Sequence, residues 1–173
     1  IGSYTFFPYK VVWKNIAGAI TGKAEFSCAV IGYADDEYLG RKIVIPNVKL
    51  MLIPFTNEDE AHYVAAVLNS SPVRLFVATY MIETGISTHL TQYIRIPKYD
   101  ASNSLHKELS KYSKRAHDLA RQVYDEHKDY LIDDLRRVED EIDKLVAELY
   151  GITEEELKAI RNCLRMFWEG EVK

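Results

Sequence analysis

The sequence predicts an α+β fold, with a β-rich N-terminal half containing short helices and a helical C-terminal tail. Three observations carry this. From Tyr4 to Phe55 the apolar residues come in short runs rich in β-branched and aromatic side chains, broken by Gly18, Gly22, Gly32, Gly40 and Pro46. From Ser102 onward they recur at spacings of three and four. The composition, 47% hydrophobic and 28% charged over 173 residues, is that of a globular chain able to bury a core.

Taken in order, the strand candidates are Tyr9 to Trp13, Glu25 to Ile31, Lys42 to Ile45 and Lys49 to Phe55. Asn57 with Glu60 three residues on resembles a capping box and opens a helix with Ala61, Val64, Ala65 and Leu68 on one face, ending near Asn69. Ser71 as N-cap and Pro72 at the first helical position start a second helix, expected to run to Thr84 with Gly85 as its stop and to be buried against the sheet. A polar turn, Thr84 to Gln92, leads to an expected strand, Tyr93 to Ile96. Ser102 or Asn103 caps a helix striped by Leu105, Leu109, Tyr112, Ala116 and Leu119. A second runs from about Asp133 through Leu149 and is expected to pair antiparallel with the first. Gly151 fits its C′ position, and Thr153 with Glu156 starts a last helix towards Phe167.

Several chemistries lack their residues. The nearest thing to a nucleotide-binding glycine turn is Gly18 to Gly22, with no following helix. Cys28 and Cys163 lie far apart without ligand spacing, and the five histidines include no i, i+4 pair for zinc, so neither catalytic residues nor metal ligands are assigned. No run of eighteen apolar residues and no leader-like start is present, which leads to the expectation of a cytoplasmic protein without membrane partners. A chain that opens on Ile1 is expected to be a piece of a longer polypeptide.

Charge is unevenly spread. The net charge is −4, yet residues 1–98 carry nine Lys and Arg against eight Asp and Glu, and residues 99–173 thirteen against eighteen. Between Ile86 and Arg121 stand seven cations (Arg95, Lys98, Lys107, Lys111, Lys114, Arg115, Arg121) against three acids. Such a stretch is either a solvated helix face or a phosphate-facing surface.

LNSSPVRLF, then TGISTH, then IRIPKY, then LHKELSKYSKRAHDL, with KIVIPNVKLMLIPF upstream and VEDEIDKLVAELYGITEEEL downstream, resembles the TaqI-like C-terminal specificity domain of N6-adenine DNA methyltransferases and fused restriction-modification enzymes. The resemblance covers most of the chain and implies a division into a 1–100 α+β target-recognition region and a 101–173 helical region packed on it or on a catalytic domain of the same polypeptide. It implies a non-catalytic target-recognition domain that holds double-stranded DNA against a methyltransferase domain of the same polypeptide, where S-adenosylmethionine binds; a fused nuclease domain also occurs in such enzymes. The family's catalytic tetrapeptide needs two adjacent prolines, which this chain lacks.

On this reading Ser87, Thr88 and His89 in the polar turn, with Arg95 and Lys98 after it, are the leading DNA-binding candidates, and Lys14, Lys23 and Lys49 beside the strands are the second rank. Tyr33 and Tyr38 can stack or wedge, or pack in the core. The turn residues equally suit local side-chain to backbone bonds. Half of a type I restriction specificity subunit and a helical protein-protein adaptor are the alternative functions.

Overall fold

The computed structural model describes residues 2–14, 26–80 and 90–169. The fold is α+β, with small antiparallel sheets in the N-terminal half and helices after them. Strand β1 (Tyr9–Lys14) is central in a three-stranded sheet, flanked by β2 (Cys28–Ile31) and β5 (Leu50–Phe55). Central placement explains its unbroken run Val11, Val12 and Trp13, since a strand covered on both faces needs no polar alternation. On one face Val11 and Trp13 join the core, where Trp13 meets the edge of Phe26 at 6.2 Å between centroids. On the other, the buried Lys10 sends its ammonium to the carbonyls of Phe7 (2.7 Å) and Val44 (3.1 Å), tying the N-terminal segment and the chain just after Ile43 onto the sheet.

Helix α1 (Glu58–Asn69) covers the sheet. The Asn57 side chain accepts from the amides of Asp59 and Glu60, and three acids in the first turn suit the positive end of the helix dipole. Its burial extends around the helix, beyond the stripe expected from sequence, because α4 (Ser104–Tyr124) packs on its other side. Helix α2 (Ser71–Tyr80) starts at Ser71, one residue earlier than expected; the segment 81–89, with the predicted stop at Gly85, lies outside the described residues. It packs chiefly on α6 (Glu154–Glu169), with smaller contacts to α1 and to α5 (Ile132–Tyr150), not on the sheet, whose inner face α1 already fills.

The expected strand at Tyr93 to Ile96 is absent. A short helix, α3 (Leu90–Ile94), stands there instead, followed by Arg95 at φ 51° and an extended, unpaired stretch. The carbonyls that a neighbouring strand would satisfy are taken by tyrosine hydroxyls: Tyr150 donates to Ile94 O (3.3 Å) and Tyr63 to Pro97 O (3.0 Å). The first of these also brings the end of α5 back to the approach to α4, as an antiparallel pair requires. Gly151, at φ 68°, ends α5 with the amide of Ile152 on Ala147 O, and Thr153 and Glu156 exchange the two bonds of a capping box to start α6.

Candidate nucleic-acid interface

Two groups of predicted residues can be placed. Lys14 ends β1 opposite Leu50, so Lys14 and Lys49 lie beside each other at one end of the sheet, both exposed. Lys23, Ser87, Thr88 and His89 lie outside the described residues. Arg95 and Lys98 are exposed on the segment between α3 and α4, fixed by the two tyrosine bonds. Burial raises the pKa of both phenols, that of Tyr150 to about 12, so both stay protonated and keep donating. Ile94 and Ile96, on either side of Arg95, pack against the core. Arg95 thus projects from a backbone held at both ends.

Arg95 occupies the position just past a helix end, where its amide closes on Thr91 O at 3.3 Å and its φ is left-handed. Glycine is the usual residue there, because a Cβ is strained in that conformation. Arg95 is one of two non-glycine residues with positive φ among the described residues, the other being His127 at φ 57°.

Some cations are paired with acids and others are not. In the helical tail Lys114, Arg121, Lys128, Arg136, Arg137, Lys144 and Arg161 all pair with acids. Lys14, Lys49, Arg95 and Lys98 make no ion pair among the described residues. Within the basic stretch, Lys114 is committed to Glu58 (3.1 Å) and Asp59 (2.7 Å) across the α1–α4 contact, and its hydrogen bond holds the Asp59 carboxyl below its ordinary pKa. The cations of that stretch left unpaired among the described residues are Arg95, Lys98, Lys107, Lys111 and Arg115.

The segment Gly32 to Gly40, which the sequence presents as a loop, belongs to a β-ribbon. Its strands are β3 (Tyr33–Asp36) and β4 (Gly40–Ile43), and the ribbon's main contacts are between these two. A three-residue turn joins them, with Gly40 at φ 65° and Asp36 Oδ1 accepting from the amides of Tyr38 and Leu39. Tyr38 is 89% and Leu39 67% exposed, which rules out core packing for Tyr38. The signal that could have found the ribbon is an acid, three turn residues and a glycine between alternating segments.

The free edge of β2 is closed by side chains. Asn69 accepts from Cys28 N and donates to Cys28 O, both at 2.9 Å, copying a neighbouring strand. His117 Nε2 accepts from Val30 N (2.9 Å), while Nδ1–H donates to Ser113 O (2.8 Å), which fixes the ring as a neutral tautomer. His62 packs edge-on against it at 4.9 Å, and burial lowers the pKa of both, that of His62 to about 3.

What the exposed, unpaired cations offer chemically is contact with phosphate oxygens and, through the arginine fork, with a guanine edge. Comparison with family models, with curated proteins and with solved structures returned no match.

Proposed function

We propose that this chain is the DNA sequence-recognition domain of a site-specific adenine-N6 methyltransferase. It holds double-stranded DNA while a methyltransferase domain of the same polypeptide, carrying S-adenosylmethionine, acts on an adenine turned out of the helix. The observation that carries this is Arg95: exposed, unpaired among the described residues and strained, on a backbone clamped by Tyr63 and Tyr150. Discrimination between bases needs a rigid mount, and this is one. Lys98 beside it, with Lys14 and Lys49 at the sheet end, supplies cations for the phosphate backbone. Because α4 packs along α1 and α5 returns beside it, the helix pair is folded onto the core, which favours this reading over a free helical spacer between two recognition domains.

The test is methylation of a panel of duplexes that differ from the preferred site by one base pair, using the methyltransferase with and without Arg95→Ala. The variant should relax preference at one position, by a discrimination of about 1–3 kcal/mol, and leave S-adenosylmethionine binding unchanged. An unchanged rate and preference in a folded variant would remove Arg95 from the interface.

A further inference from the structure

The ribbon β3–β4 stands clear of the core with all of β3 and most of β4 exposed. An isolated two-stranded ribbon is marginally stable, so one that carries Tyr38 and Leu39 bare at its tip is poised to meet something. We propose that this ribbon enters the major groove of DNA and that Asp35 and Arg41 read one G·C base pair; the inference rests on the DNA-recognition function proposed above.

Shape comes first. The two paired strands lie about 4.8 Å apart, and a two-stranded ribbon fits a groove about 12 Å wide. Chemistry is set by the register. Tyr33 opposes Ile43 and Asp35 opposes Arg41, so these four side chains share one face. A guanidinium donates to guanine O6 and N7, and a carboxylate accepts from the cytosine amine; opposed across a ribbon, the two match the two halves of one base pair. Both are exposed, and neither makes an ion pair among the described residues. Arg41 instead lies over the Tyr33 ring, 4.9 Å from its centroid, which limits the guanidinium's freedom before contact.

The acids argue about the occupant. Asp35, Asp36 and Glu37 outnumber Arg41 and Lys42, which is unfavourable for a phosphate-tracking arm. Asp36, however, is occupied in capping the turn, and an acid beside an arginine suits a base edge. Lys42, unpaired among the described residues, lies on the opposite face with Ala34 and Gly40.

Selection of bound duplexes from a pool with a randomised centre, at low salt, tests this with the 173-residue chain. Wild type should enrich a short motif. Arg41→Ala and Arg41→Lys, the second keeping charge without the fork, should each lose about tenfold or more of the preference at one G·C position. The exchange D35R with R41D should turn that preference towards C·G. Thermal melts should match wild type, since these side chains are exposed. If wild type selects a motif that every ribbon variant also selects with equal strength, the ribbon is not a base reader; the DNA-recognition proposal then stands without it. A uniform loss over all sequences would make Arg41 a phosphate contact and overturn base reading. Wild type that binds no duplex at all overturns both.

Discussion

Arg95 and the two buried histidines show how single side chains divide between function and fold. If Arg95 is held in a left-handed conformation for its side chain, Arg95→Gly should relieve strain. The expected outcome is stability unchanged or raised by up to about 1 kcal/mol, together with weaker DNA binding. Denaturant titration checks it, and a loss of more than about 1 kcal/mol would show that the side chain packs in the fold. His62 and His117 have the opposite character. Their folded pKa values lie below the ordinary 6.5, so as pH falls through that value the unfolded chain takes up protons that the folded chain refuses. Stability is therefore complete above about pH 6.5 and declines as pH falls towards the folded values. The melting temperature should drop between about pH 7 and about pH 5.5, and drop less in His117→Gln, whose amide oxygen can still accept from Val30. Equal slopes for the two proteins would assign the acid sensitivity elsewhere. These histidine roles were not legible in the sequence, where His62 and His117 were two of four histidines given no role; their roles come from α1, α4 and β2 meeting in space.

At the scale of elements, what is local was legible. Asn57, Asn103, Gly151 and the Thr153–Glu156 box delimit helices with groups a few residues apart, and each stands where the spacing put it. What depends on distant partners was not. Tyr-Ile-Arg-Ile has a strand's alternation, but Tyr63 and Tyr150 satisfy the backbone there and no strand pairs with it among the described residues. Helix α2 looked like a serine-capped helix on a sheet, whereas its first amide and hydroxyl are bound by Asp143 of α5 at 2.7 and 2.6 Å, and Asp143 is in turn bound by Arg161 at 2.9 Å. Asp143→Ala leaves the start of α2 without its cap and Arg161 without its buried partner, at a cost of about 2–4 kcal/mol in a urea titration. A cost below about 1 kcal/mol would mean that water replaces the carboxylate. Asn69→Ala exposes the amide and carbonyl of Cys28 to the same kind of loss, about 1–3 kcal/mol.

Across the whole molecule, the partition of charge gives the net figure of −4 its meaning. Seven cations of the helical tail are paired with acids, which are in excess there, while Lys14, Lys49, Arg95 and Lys98 stay open among the described residues. Sequence counting located a basic middle but could not tell Lys114, spent on Glu58 and Asp59, from its unpaired neighbours. The measurement that bears most directly on DNA recognition is the affinity of the chain for duplex DNA as a function of salt. It should be made by fluorescence anisotropy with wild type, the pair Arg95→Ala with Lys98→Ala, and the control pair Arg136→Ala with Arg137→Ala. Wild type should bind weakly, with an affinity that falls steeply as salt rises. Removing Arg95 and Lys98 should weaken binding and shallow the log–log slope by about one for each phosphate no longer engaged, whereas the control should leave both unchanged. Wild type without measurable binding at low salt, or affinity unchanged by removal of Arg95 and Lys98, would contradict DNA recognition by this surface.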